Sequence, residues 1–248
     1  MTGPKILLLD IETSPNLAYV WGTFQQDVNV NHMVGASTTL CWAAKWADGK
    51  RVMFDSVHES TPKQMLRGIH ALLDEADVVV HYNGRRFDVP TLNKEFLLHK
   101  MAPPAPYKQV DLLQVMRGTF RFQSNKLDYV SKQLGFAGKV KHAGFQLWVD
   151  CMAGDNAAWK KMREYNMGDV VELEKVYHRV LPWIKGHPNH NAYGKSGVCP
   201  SCGSDKLQRR GEARNATGSY QRFQCGACGG WSRSDVVVKR NGKRMVAA

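Results

Sequence analysis

Apolar positions along this chain fall into two periods. Ile6-Leu7-Leu8-Leu9 is an unbroken apolar run that closes on Asp10-Ile11-Glu12, and Val78-Val79-Val80 is a second such run. Short continuous runs of this kind predict strands buried on both faces. Lys5–Glu12 is therefore expected as a first strand, the stretches around Thr38–Trp46 and Arg51–Phe54 as a second and third, and Asp77–Tyr82 as a central one. Pro62–Glu75 has helical spacing instead, with Thr61 placed to cap it and Pro62 at its first position. A helix from about Val89 to His99 should end before the Pro103-Pro104-Ala105-Pro106 cluster, and Tyr107–Asp111 could add a fifth strand. Ser124 is expected to cap a helix running to about Leu134 and closed by Gly135, and Asp155 a long one running to about Leu181. Strands first, then strands alternating with helices, predict an α/β fold with a mixed central sheet and helices on both faces.

Asp10 and Glu12 are two apart at the end of a strand, so both side chains leave the same face. Two such carboxylates repel unless a cation sits between them, and oxygen ligands suit Mg²⁺ or Mn²⁺. The plainer alternative is a strand ending in solvated polar residues. Asp88 follows the Val78–Val80 strand through Asn83-Gly84-Arg85-Arg86-Phe87. That places it at a strand-to-helix junction, where open sheets build sites, though it could also be a helix cap. Gly84 is expected to permit the turn and Phe87 to pack inward and fix Asp88. Tyr165 and Asp169 stand four apart on the last long helix and share a face, while Glu164, Glu172 and Glu174 read as solvated helix charges.

At 248 residues and 43% hydrophobic, the chain can bury one large core and hold a small second domain. No apolar run approaches the ~20 residues that span a bilayer, and no signal-peptide layout opens the sequence, so a soluble cytoplasmic protein is expected. The net charge of +12 is unevenly placed. Residues 185–248 carry 12 Lys and Arg against 3 acids, and residues 1–184 carry 22 against 19. A basic appendage of this kind points to a polyanion, most often nucleic acid, with a solubility-promoting tail as the alternative.

Four of the six cysteines form Cys199-Pro-Ser-Cys202-Gly and Cys225-Gly-Ala-Cys228-Gly. Two C-x-x-C-G knuckles at this separation predict one tetrahedral Zn²⁺ site, in preference to two disulfides. Cys41 and Cys151 are expected to be small buried apolar groups. The expected organisation is a domain over residues 1–184, a linker rich in Gly, Pro, His and Asn over 185–197, and a zinc ribbon with a basic tail over 198–248.

Asp10-Ile11-Glu12, Asn83 to Pro90 and Tyr165-Asn166-Met167-Gly168-Asp169 together resemble the three motifs of the DEDD 3′–5′ exonucleases, which have an RNase H-like fold. Tyr165, four residues before Asp169, is similar to the tyrosine of the DEDDy branch. The likeness is to the proofreading domains of family B DNA polymerases and their stand-alone phage relatives, and covers residues 5–181. Asp111-Leu112-Leu113 with Ser124 to Val130 resembles the family's connection between its second and third motifs.

The resemblance implies that Asp10, Glu12, Asp88 and Asp169 hold two Mg²⁺ or Mn²⁺ ions and that Tyr165 orients the attacking water. It places Asn83 near the terminal nucleotide and makes Phe87 or Tyr82 candidates for base stacking. Lys126, Arg85 and Arg86 are candidates for phosphate contact, and Arg209, Arg210, Arg214, Arg222, Arg233, Lys239, Arg240, Lys243 and Arg244 would make the ribbon basic. The expected function is a metal-dependent 3′–5′ exonuclease on DNA. Alternatives are a 3′–5′ exoribonuclease or a structure-specific endonuclease on the same fold and, from another class, a non-catalytic nucleic-acid adaptor. By family analogy the chain suits a phage replication or recombination module, with a partner protein from that machinery and the host cytoplasm as its location.

Overall fold

The computed structural model describes residues 3–25, 27–138, 144–194 and 196–240. Lys243 and Arg244 lie outside them. The chain divides into two compact units, Lys5–Tyr177 and a smaller one built from His178 onward together with residues 1–4.

The larger unit is organised around β1 (Ile6–Thr13), whose Leu7, Leu8 and Leu9 are wholly excluded from solvent. A small pair, β2 (Leu17–Ala18) and β3 (Met33–Gly35), follows it, then β4 (Thr39–Trp46) and β5 (Val52–Ser56). α1 (Pro62–Glu75) carries the foreseen cap: Thr61 accepts from the Gln64 N–H and Gln64 returns a bond to the Thr61 N–H, a reciprocal capping box. β6 (Val78–His81), α2 (Asp88–Leu98) and β7 (Lys108–Asp111) complete the sheet in the order β5-β4-β1-β6-β7. β1 runs antiparallel to β4 and parallel to β6, so the sheet is mixed, and β1 is its middle strand.

Strand alternation divides the core in two. Leu7, Leu9 and Ile11 join Trp42 and Val79 under α1 and α2, where Met65, Leu66, Ile69, Leu92 and Phe96 meet them. Trp42 Nε1 donates to the Met65 carbonyl at 2.9 Å, which satisfies the indole inside that layer. On the other face, Leu40 and Cys41 pack against α5 (Gln146–Met152) and α6 (Asn156–Val180) through Leu147, Cys151, Trp159, Met162 and Tyr165. Cys41 and Cys151 are thus buried apolar groups. Asp10 and Glu12 share this second face with α6, because they alternate with Leu9 and Ile11.

Helices α3 (Leu112–Thr119) and α4 (Leu127–Gln133) lie between β7 and α5. α3 was not foreseen, since it leaves β7 without a loop. Asp111 serves as both strand end and cap, accepting from the Leu113 N–H at 3.0 Å. The expected cap at Ser124 is corrected: α4 starts at Leu127 after Lys126, and Ser124 Oγ accepts from the Lys126 N–H, in the preceding loop. Its C-terminus does close on Gly135 at φ 82°, with Phe136 N–H on the Ser131 carbonyl and Gly135 N–H on that of Lys132. α5 is too short to announce itself by period. At α6, Asp155 caps as expected through the Ala157 and Ala158 N–H groups.

Two acidic expectations on α6 are corrected. Glu172 is buried and accepts from the Gly138 N–H, and Glu174 is half-buried in an ion pair with Lys45 of β4. Only Glu164 is a solvated charge, paired with Lys161. In the smaller unit, β8 (Leu207–Arg214), β9 (Gly218–Cys225) and β10 (Trp231–Arg240) form an antiparallel sheet ordered β10-β9-β8. Residues 189–191 are hydrogen-bonded to the first knuckle, His190 N–H to the Pro200 carbonyl and Asn191 to both backbone groups of Val198.

Candidate functional site

Asp10 and Glu12 emerge from the end of β1 on the face covered by α6, and α6 supplies Asp169. One carboxylate oxygen of each lies within 4.8 Å of the others. Asp169 is buried, and Asn166, one turn before it, donates Nδ2–H to Asp10 Oδ2 at 2.7 Å. Asn166 was not singled out from sequence; its spacing of three from Asp169, on the same helix face, was the available signal. An all-oxygen set of three carboxylates at this separation is suited to a hard divalent cation and costly without one.

Asp88, the first residue of α2, is tied to the same strand, its Oδ1 accepting from the Ile11 N–H at 3.2 Å. It is buried and stands outside the group of three. Burial pushes its carboxyl up to about 7 against the pull of backbone N–H groups, with the Asp111 charge adding to the rise.

The turn that presents Asp88 differs from expectation. The left-handed residue is Asn83 at φ 71°, a conformation asparagine tolerates, while Gly84 is required for lack of a side chain. A Cβ there would stand 2.4 Å from Cγ of His81, which is fully buried. His81 Nδ1 accepts from the Gly84 N–H at 3.1 Å, so its proton lies on Nε2, which donates to Gln109 Oε1 at 3.1 Å. Burial lowers the pKa of this imidazole and Asp111 only partly offsets it, so the His81–Asp111 approach at 3.8 Å is one of a neutral ring to a carboxylate. Asp111 accepts from the N–H groups of Asn83 at 2.9 Å and Arg85 at 3.4 Å, besides Leu113, and so clamps the turn to β7. The resemblance gave Asp111 no role.

Phe87 does not pack inward; it is exposed, and Leu92 and Phe96 fill the layer beneath α2. Tyr82 donates its hydroxyl to the Asn125 carbonyl, and burial raises its pKa. Tyr82, Asn125, Lys126 and Arg117 line a cavity of about 650 Å³ that reaches Asp10. Arg85 is engaged with the Gln109 carbonyl and Arg86 is exposed. The Tyr165 ring is buried beside Cys41 and meets Trp148 edge-on at 5.9 Å; Cys41 is the β4 partner of Glu12.

A family model named RNase_H_2, of the RNase_H superfamily, matches residues 7–181. The chain belongs to this superfamily. No curated protein matches it. Among solved structures, the family B DNA polymerase of the hyperthermophilic archaeon Pyrobaculum calidifontis is similar at a TM-score of 0.55 and 18% identity, over 72% of this chain and 25% of the polymerase. The likeness is one of fold, and the chain spans about a quarter of that protein's length. Membership of the RNase_H superfamily, with an acidic cluster on the sheet, supports a metal-dependent nuclease. No helix among the described residues is long and apolar enough to cross a membrane.

Outside the RNase H-like unit, the four knuckle cysteines converge. Cys199 and Cys228 have sulfurs 3.7 Å apart, as do Cys202 and Cys225. A tetrahedron with Zn–S bonds of about 2.3 Å puts its sulfurs ~3.8 Å apart, so the set fits zinc. Burial opposes ionisation of Cys225, but N–H groups including that of Ala227 outweigh it and bring the thiol down to about 7. Of the ribbon's large apolar groups, Trp231 is exposed, whereas Tyr220 is buried.

Three outcomes follow from this geometry. Gly84→Ala should displace the turn and cut hydrolysis strongly, because the new methyl meets an immobile ring; wild-type turnover in steady-state assays would refute that. Asp88→Asn should abolish hydrolysis yet stabilise the metal-free protein at pH 8. The wild-type carboxyl, raised in the folded state, destabilises progressively between about pH 4 and 7, by up to a few kcal/mol. The variant's melting temperature should lack that decline. Finally, the intact protein should bind one equivalent of zinc, and its removal should unfold the ribbon, seen as lost near-UV dichroism, since so few apolar groups support that sheet.

Proposed function

We propose that this chain is a metal-dependent 3′–5′ exonuclease of the DEDDy type that hydrolyses DNA, with its C-terminal ribbon aiding its hold on nucleic acid. The observation that carries the reading is the convergence of Asp10, Glu12 and Asp169 at the end of β1, next to a cavity edged by Lys126 and Arg117. The DNA preference takes its support from the likeness to part of a DNA polymerase.

Asp10, Glu12, Asp88 and Asp169 would hold two Mg²⁺ or Mn²⁺ ions, which when bound lower the pKa of water and stabilise the leaving 3′ oxygen. Asn166 holds the Asp10 carboxylate in one orientation. Tyr165 has the role of orienting the water through its hydroxyl for in-line attack at phosphorus. Lys126 and Arg117 meet the phosphates of the strand, Asn83 the terminal nucleotide, and Phe87 offers an exposed ring to a base. In the ribbon, Arg209, Arg210, Arg222 and Arg240 are exposed and supply positive charge.

End-labelled single strands test the reading. With Mg²⁺, a 3′-labelled DNA strand should release its label as mononucleotide at once, while the 5′-labelled strand shortens as a ladder. Internal cuts without end dependence would establish an endonuclease, and faster loss of the matching RNA an exoribonuclease. Asp10→Asn should be inactive with the fold intact. Tyr165→Phe keeps the packed ring and should lose rate on the order of 10²-fold at unchanged DNA affinity. Collapse of binding with an unchanged saturating rate would make Tyr165 a binding residue.

A further inference from the structure

The ribbon sheet has two unlike faces. Register places Trp231 opposite Gln224, and Gln224 opposite Gln208, so an indole and two amides share one face; Arg233 lies opposite Arg222 on that same face. Ring contacts agree with the register: the Arg222 guanidinium lies 5.0 Å from the centre of the Trp231 ring, and that of Arg233 lies 4.1 Å from Tyr220. Arg222 Nε also donates to the Arg210 carbonyl, and Arg210 to Gln208 Oε1, which draws Arg210 into the row. Arg209 pairs with Phe223 and belongs to the reverse face, as does Glu212 opposite Gln221.

Two arginines directly opposite across a strand pair repel. Among the described residues no carboxylate lies within ion-pair distance of Arg210, Arg222 or Arg233. Each of Arg222 and Arg233 is instead placed over a ring, a contact that holds it without neutralising it. Trp231 is 55% exposed beside them, so much of its indole is open to solvent. A row of fixed cations calls for a polyanion. An exposed indole with amides on either side calls for a planar group with polar edges. Unpaired nucleotides carry both, whereas a duplex presents phosphates but hides its base faces.

We propose that this face of the ribbon binds an unpaired stretch of nucleic acid, with Trp231 stacking on a base, Gln208 and Gln224 meeting base edges, and Arg210, Arg222 and Arg233 meeting the phosphates. This rests on the reading of the ribbon as a nucleic-acid anchor, and adds to it a strand state and a stacking residue. The ribbon would thereby favour a frayed or single-stranded end.

Fluorescence polarisation tests it on the full chain with no divalent cation added, using a labelled thymidine 15-mer and a blunt DNA duplex. Trp231→Ala should weaken single-strand binding by ~10-fold and duplex binding by less than about twofold, and Trp231→Phe should restore most of the loss. Arg222→Gln with Arg233→Gln should lower the salt slope on the single strand by about 1.4. Retained zinc at one equivalent verifies that each variant keeps its sheet. Equal loss on both substrates, or no loss from Trp231→Ala, overturns the stacking face while leaving the anchor standing. Unchanged affinity and salt slope in every variant overturns the anchor itself and leaves an acidic protein segment as the occupant. Uridine 15-mer run alongside separates RNA from DNA.

Discussion

Carboxylates whose oxygens lie within 4.8 Å of one another repel, and inside a protein that repulsion is screened far less than in water. The RNase H-like unit is built to sustain it. β1, the middle strand, is anchored by three leucines with no access to solvent, so its acidic end cannot recede. α6 brings Asp169 over that end and is secured to the sheet by the Lys45–Glu174 pair on the same face. Asn166 donates a hydrogen bond to Asp10. Three carboxylates held this close favour a divalent cation, which is the property a metal-dependent nuclease site needs.

What the sequence disclosed is what depends on near neighbours. The pairing of Asp10 with Glu12 follows from strand alternation, the cysteine knuckles from their own spacing, and the first cap from Thr61, Pro62 and Gln64 together. Each signal sits within a few positions of the residue it concerns. Asn166 meets Asp10 across 156 positions, and Asp111 meets Asn83 across 28, so although spacing could set Asn166 beside Asp169, neither of these long-range partners could be named before the chain was folded. Glu172 looked like a surface charge for the same reason: its burial is decided by a loop from elsewhere in the chain.

Two large aromatic rings, Phe87 and Trp231, are exposed. Phe87 was expected to pack inward because large apolar rings usually do, but it stands at the start of an element whose buried side is already filled, and Trp231 lies exposed on the small ribbon sheet. Trp231 instead forms one end of a guanidinium-and-ring series. Exposure of such a ring costs solubility, and its persistence beside fixed arginines is more easily understood as a surface kept for contact than as incomplete packing.

The approach of His81 to Gly84 has a bearing on how such a chain could change over time. The imidazole takes the space that any side chain at position 84 would need, and its Nδ1 receives the N–H of that same residue. Neither position is then free to vary while the other is held. A smaller residue at 81 would admit a methyl at 84 but orphan an amide, and a larger one at 84 would be tolerated only after the ring had gone. The two sites behave as one inherited unit, and in any set of descendants of this chain they should drift together or stay fixed together.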